Sequence, residues 1–505
     1  MLVWGFAGIY CLLTYIFFRE KTLNGHDPAN YFLGIKYGFS LAAERPHAPG
    51  YPFFIFFGQI ISSIFSIDPH AAILVLNKIY IFFGIGLCYQ FVKKYWSSAT
   101  SIITVLLVAC NPVVLFYGSV GEIYIYDLFF STAILYLMTA CRPKLMPLAF
   151  FVLGVSMGFR LPSVILLAPV IVMALYFRSD IKEFFSVRRI ALIMLSFVLG
   201  MCTWLIPFYI SSGGIQIFQQ ALRDAAELDS TIYQNAAAYG SYLLWTVNIG
   251  FIVLFFHSGK NNSTSKQKKI LLLVWFIIPT LFYIFEHYSR GHILLILPCI
   301  IIPIADHIGR IRSDWIKRSV LLFLLTINLS LFFFMPFMTP SAESNLPKAQ
   351  RSSGERMQTA FLRSLSFFAP TYLHITIADE AITEANTMIG KNCLPGSVII
   401  VDNSATLWAY PRSLQAANPS LYFIQGNSKD TNVVALFHES EIDRKYSIEK
   451  LLAGDTLYYL IDPRFVQTFG APSDAKLLVS GSRTALYIVT GKEKDSFWKY
   501  FTKSK

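Results

Sequence analysis

The sequence predicts an α-helical polytopic membrane protein, about 11 transmembrane helices plus interfacial helices, with a C-terminal extracytoplasmic α/β domain. Three observations carry this reading. Hydrophobic residues make up 55% of the 505 and charged residues only 14%, whereas a soluble chain carries about 25% charged residues to coat its surface. Apolar stretches of membrane length recur through residues 1–338, and in hydrocarbon such stretches satisfy their backbones as helices. From 339 to 505 the composition turns polar and short β-rich runs replace the long apolar ones. A soluble multidomain enzyme is excluded by the first observation. A disordered chain is excluded by the 45 Phe, 27 Tyr and 8 Trp, which bury far more apolar surface than disorder allows.

The first apolar run starts at Met1 and ends at Phe18, with no basic stretch before it and no small-residue cleavage site after it, so it reads as a retained span. Further spans are expected at 71–92, 99–118, 124–140, 145–159, 162–177, 190–211, 237–257, 270–286, 291–308 and 319–338. The stretch 51–67 is shorter and begins with Gly50, Tyr51 and Pro52; whether it crosses decides the side of every later loop. The distribution of Lys and Arg resolves this. With 51–67 lying at the interface and the N-terminus in the cytoplasm, sixteen cationic residues fall in cytoplasmic loops and seven opposite. Residues 19–70 and everything after 338 are then extracytoplasmic. The net charge of +12 is accounted for by those loops rather than by a nucleic-acid partner. Six of the seven cysteines lie in apolar stretches as small hydrophobes, Cys393 stands alone in a polar region, and no spacing calls for a metal.

In the C-terminal region, strands are expected at 397–402, 420–425, 433–438 and 457–462, then a hairpin-like pair around Ser482, with helices at 374–390 and 404–417. Asp402 and Asn403, at the end of the first strand, form either a plain turn or the rim of a carbohydrate site. Trp408 and Trp498 stack on sugars or fill a core.

Candidate chemistry gathers in the outward-facing loops. Asp27 precedes Pro28 at a helix start, and Tyr31, Ile35, Phe39 and Ala42 follow at helical spacing, placing 28–43 along the membrane surface. Asp27 is a helix cap on one reading. On the other it is a carboxylate at headgroup level, able to take a proton from an attacking hydroxyl. The segment RPHAPGYP supplies Arg45, His47 and Tyr51, either as a stiff turn or as cations for a lipid phosphate. Glu122 lies in a very short loop between spans, where an acid next to hydrocarbon is a candidate functional group. Asp127, one turn into the next span, is a candidate on the same ground or an interfacial group that snorkels, Glu122 is otherwise a solvated loop charge, and Lys78 reads as snorkelling. Arg160 falls in one later turn, and Arg290 and His292 in another, after Glu286 and His287. Several cations and at least two carboxylates on one face suit a site that neutralises a lipid-linked phosphodiester and deprotonates an acceptor.

These stretches resemble the GT-C superfamily of integral-membrane glycosyltransferases, close in layout to the protein O-mannosyltransferase and aminoarabinose transferase branches. The resemblance rests on GHDPANY around Asp27, HAPGYP where relatives often show HPPGYP or KPPLY, GEIY around Glu122, and GFRLPSVILLAP and RGHILLILP; in organisation it spans residues 1–340. It departs at Ala48, in place of a proline, and at Asn77, where relatives often carry arginine. The resemblance implies an inverting enzyme that passes a sugar from a polyprenyl-phosphate donor to an extracytoplasmic glycan, lipid or protein acceptor, without a cofactor or a required metal. It implies Asp27 as general base, Glu122 as a second acid, and His47, Arg160 and Arg290 on the donor phosphate, with Arg45, Tyr51 and His292 beside them. The competing readings are a transporter or flippase of lipid-linked glycans, and a glycan polymerase or ligase.

Overall fold

The computed structural model describes residues 2–41, 45–46, 50–140, 142–178, 186–211, 216, 219, 232–255, 266–285, 290–334, 370–402, 411–426, 435–437, 456–461, 475–482 and 484–490. They group into two compact units. One holds Met1–Arg19, Ala48–Met335 and Pro370–Tyr372; the other holds Glu20–His47 together with Leu373–Lys505.

The first unit is a helical bundle. Its helices are α1 (Leu2–Phe18), α3 (Pro52–Phe65), α4 (Pro69–Tyr95), α5 (Ser98–Ala109), α6 (Pro112–Tyr117), α7 (Ile125–Ala140), α8 (Met146–Ser156), α9 (Leu161–Tyr176), α10 (Val187–Ser211), α11 (Ile232–Val247), α12 (Lys266–Phe285), α13 (Leu297–Gly309) and α14 (Asp314–Phe334). Every expected span is helical, yet several are interrupted. The span expected at 99–118 breaks where Asn111 accepts the Val113 N–H with its side chain and Pro112 starts α6. The one at 237–257 becomes α11 followed by a 3-10 stretch, Asn248–Phe255, at whose start Asn248 adopts a φ of 39°. Among the described residues, five helices are long and apolar enough to cross a bilayer unaided, and shorter apolar helices accompany them. The chain is an integral membrane protein, and the count of eleven crossings remains a reading of the sequence.

The bundle closes through aromatic and glycine contacts. Tyr80 of α4 stacks on Phe129 of α7 with ring centroids 5.6 Å apart. A side chain at Gly154 of α8 would collide with the Phe197 carbonyl oxygen, and one at Gly200 of α10 with that of Phe151. The two backbones therefore touch, as small residues allow between membrane helices. The outer face of α10 is left apolar and exposed at Leu195, Leu199 and Ile206, as suits lipid. Lys78 does not snorkel, contrary to expectation. It is buried, and its Nζ donates to Thr14 Oγ1 of α1 at 2.9 Å, a protein partner supplied where the sequence offered only lipid.

The second unit joins α2 (His26–Tyr37) to the C-terminal α/β domain. That domain comprises α15 (Tyr372–Asn392), β1 (Val398–Asp402), α16 (Pro411–Ala417), β2 (Tyr422–Gly426), β3 (Ala435–Phe437), β4 (Thr456–Ile461), β5 (Lys476–Ser480) and β6 (Ala485–Thr490). The sheet order is β3-β2-β1-β4-β6-β5, with β1 parallel to both β2 and β4 and the remaining pairs antiparallel. Its apolar face packs under α15, where Ala378, Ile382, Ala385 and Ile389 meet Ile399, Val401, Phe423 and Leu460. Burial pushes the thiol of Cys393, just after α15, up to about 12.

The loop helix differs from expectation in two ways. It ends at Tyr37 before Gly38, whose φ is 94°, and Ser40 pairs with Arg45 in a β-bridge where the helix was expected to continue. Its apolar residues Tyr31, Leu33 and Ile35 are also buried in protein rather than left on an open face, and α2 packs on α16. Helical spacing reports an apolar stripe but not whether lipid or protein covers it.

Candidate functional site

In the bundle, four loop or turn segments converge. The turn before α9 is pinned to the start of α3, where the Phe53 N–H donates to the Gly158 carbonyl at 3.0 Å. Tyr51, just ahead of α3, takes a left-handed φ of 44° and lies close enough to Arg160 for its hydroxyl to act electrostatically on the guanidinium. The loop before α7 is held from α4, because Asn77 Nδ2 donates to the carbonyls of Val120 at 2.9 Å and Glu122 at 2.8 Å. Two donated bonds from one buried amide fix the backbone that carries Glu122. From the 3-10 turn Arg290–Leu295, the His292 ring stacks on Tyr283 at 5.1 Å and meets the edge of Tyr124 at 5.5 Å. Gly291 is required there, since any Cβ would enter the Tyr124 ring.

Arg160 is at the centre of this group. Its Nη1 lies 3.0 Å from Asp127 Oδ2, with the two side chains 3% and 1% exposed. The guanidinium also lies over the Tyr124 ring, 4.5 Å from its centroid. Ser163 donates a short hydrogen bond to the other oxygen of Asp127. Burial opposes the charge on Arg160. The adjacent Asp127 overcomes it, helped by the hydroxyls of Tyr51, Tyr124 and Tyr283, and holds the guanidinium above its ordinary range. Asp127 therefore does not snorkel at an interface; it is the buried counter-ion of Arg160. The Arg160 Nε–H is buried and makes no hydrogen bond among the described residues.

Of the expected site residues, Tyr51, Arg160 and His292 are thus linked to one another through Arg160 and Tyr124, and Glu122 stands two residues before Tyr124 in the loop that Asn77 holds. Arg290 belongs to the same turn by its backbone; its side chain, with Glu286 and His287, lies outside the described residues. His47 lies outside them too, as do Asn403, Trp408 and Trp498 and the side chain of Asp402. Asp27 and Arg45 belong to the second unit. Asp27 is not the helix cap: Gly25 is, at a φ of 122° and without a side-chain bond, and Asp27 sits in the first turn of α2, where the helix dipole favours a carboxylate. Arg45 lies 6.0 Å from the centroid of the Tyr37 ring. Among the described residues no three His, Cys, Asp or Glu side chains lie together as metal ligands. Sequence reasoning missed the partnership of Asp127 with Arg160 and the role of Asn77. A carboxylate and an arginine next to apolar spans were the available signal, because ionised groups there find partners.

No family model and no curated protein matches the chain by sequence. Solved structures do. ArnT from Cupriavidus metallidurans bound to undecaprenyl phosphate superposes with a TM-score of 0.56 at 12% identity, covering 97% of this chain and 98% of that one. The same protein in the apo state gives 0.55 at 12% identity, over 96% and 98%. The Archaeoglobus fulgidus oligosaccharyltransferase in its apo form gives 0.50 at 13% identity, over 97% of this chain and 74% of that one. The chain shares the fold of these structures. This bears out the resemblance drawn from the loop motifs and extends it, since a match over 97% of the chain includes the C-terminal α/β domain that the motifs left out. At 12% identity what is shared is the course of the backbone.

Proposed function

We propose that this GT-C-fold protein transfers a sugar from a polyprenyl-phosphate donor to an extracytoplasmic acceptor, with inversion and with Asp27 as general base. The observation that carries the proposal is the buried Arg160 guanidinium. Asp127 fixes one edge of it, its Nε–H is left over, and tyrosines lie beside it, Tyr124 among them with His292 on its edge, in a fold shared with a protein crystallised with undecaprenyl phosphate. A cation preorganised in this way stabilises a departing phosphate without reorganising.

In the proposed reaction the acceptor hydroxyl oxygen attacks the anomeric carbon as the bond from that carbon to the phosphate oxygen breaks. The polyprenyl phosphate leaves with the electron pair, and the hydroxyl proton passes to the Asp27 carboxylate. Attack opposite the leaving group inverts the centre. Arg160, His292 and Arg290, with Arg45, His47 and Tyr51, serve the phosphate; Glu122 orients acceptor or sugar from the loop that Asn77 holds. The C-terminal domain lies outside the cytoplasm in this scheme, as the loop charges require.

Purified enzyme in liposomes, supplied with a panel of polyprenyl-phosphate sugars, tests this through release of free polyprenyl phosphate. Asp27→Asn is expected to lower turnover by about 10²- to 10⁴-fold with the melting temperature unchanged. Undiminished turnover in that variant removes Asp27 from the mechanism, and a wild type that releases no polyprenyl phosphate removes the transferase reading altogether.

A further inference from the structure

From the second unit we infer that the C-terminal α/β domain is the positioning device for the Asp27 loop: it grips the chain on both sides of that residue through Asp379, Ser413 and Arg412. The inference rests on the transferase reading for its consequence and on contacts within one unit for its geometry.

Before Asp27, the Asp379 carboxylate of α15 accepts the backbone N–H of Lys21 at 2.8 Å and of Thr22 at 2.8 Å, and the Thr22 hydroxyl at 2.7 Å. A carboxylate that takes two successive amides and a hydroxyl fixes the direction of the chain as well as its position. At Gly25, which starts α2, the Ser413 hydroxyl of α16 donates to the backbone carbonyl at 3.0 Å. After Asp27, Arg412 Nε donates to Asn30 Oδ1 at 2.8 Å, and its Nη1 donates to Gln415 Oε1 at 3.1 Å, which braces the guanidinium on its own helix. Arg412 is 2% exposed and Asn30 0%. An arginine buried so completely is seldom a solvating group. Residues 21, 22, 25 and 30 are thus tied to α15 and α16, and residue 27 lies within the tied stretch. The domain contacts span some 360 to 390 positions of sequence, so the Asp27 turn has its geometry only when the C-terminal domain is folded. Arg412, Asp379 and Ser413 act through the loop and are positioning residues.

The test uses the full-length chain in nanodiscs and reads two quantities, hydrogen exchange of residues 21–30 and the kcat and donor KM of polyprenyl phosphate release. Asn30→Leu removes the acceptor for Arg412, whereas Asn30→Asp keeps an oxygen there. Asn30→Leu and Asp379→Ala are expected to speed exchange of residues 21–30 by about tenfold or more. They are expected to lower kcat by about tenfold to a hundredfold with donor KM unchanged. Asn30→Asp is expected to stay near wild type in both. Unaltered exchange in Asn30→Leu and Asp379→Ala overturns the grip, and faster exchange with unaltered kcat overturns its bearing on transfer. Should either variant also expose the sheet, Ser413→Ala, which removes a single tie, decides: faster exchange confined to residues 21–30 supports the grip and no change overturns it. If the wild type releases no polyprenyl phosphate, the transferase reading fails by itself, and the exchange measurements still settle the grip.

Discussion

Among the described residues two arginines are almost wholly buried, one in each unit, and they are used differently. Arg160 of the bundle sits 3.0 Å from a carboxylate only 33 positions earlier in the chain and beneath an aromatic ring. Arg412 of the α/β domain donates to the amide oxygens of Asn30 and Gln415, the first of them 382 positions away. One arrangement sets charge against charge within a single unit and keeps a cation permanently ionised where water is scarce. The other joins distant chain segments by the direction of its hydrogen bonds. Burial of a guanidinium therefore does not define a role; the chemistry and origin of its acceptors do.

The contrast can be broken experimentally. Removing the counter-charge is the most severe intervention: Asp127→Ala is expected to cost about 3–5 kcal/mol, because it strands a buried cation. Melting in detergent measures this, and the double variant Asp127→Leu with Arg160→Met is expected to recover most of the loss. A double variant no more stable than Asp127→Ala would show that the pair is not the source of the effect. Asn77→Leu comes next, because it deletes two hydrogen bonds from the loop of Glu122. An expected cost of about 1–3 kcal/mol follows from its donors alone. Faster proteolysis of the 118–124 loop with the rest of the bundle protected is the signature that separates it from a general packing defect. The smallest effect is expected at Lys78. Replacing this buried ammonium by methionine exchanges a single hydrogen bond with Thr14 for apolar volume, and the melting temperature is expected to stay level or rise. A marked loss would mean that the charge at 78 is needed for the fold.

Much of the fold was legible because hydrophobic length and period are local properties. The apolar helices, the helix over 52–65 and the strands of the C-terminal sheet fall within a few residues of the stretches expected for them. What failed was the identity of neighbours. Tyr31 and Ile35 show the same spacing whether lipid or protein covers them, and only the structure shows them buried in protein. Lys78 and Asp127 were read as reaching water because a sequence shows no partner, whereas Thr14, Ser163 and Arg160 supply partners from other elements. For the site, the structure ties Tyr51 and Tyr124 to Arg160 and packs His292 on Tyr124, contacts between turns that the sequence only names one by one. Asn77 was noticed only as a departure from an expected arginine, and its work is to hold carbonyls rather than to carry charge. Of the two readings of Asp27 the cap does not hold, because a glycine two residues earlier starts the helix by conformation.

The glycine seam between α8 and α10 bears on how such a fold persists as sequences drift. At Gly154 and Gly200 two main chains rest against one another with nothing between them, while Leu195, Leu199 and Ile206 of α10 are apolar and exposed. Substitution on that outer side is nearly free so long as the replacement dissolves in oil, whereas the inner two positions admit no enlargement. A molecule assembled along such seams can exchange most of its letters and keep its shape, which is the relation in which this chain stands to ArnT at 12% identity.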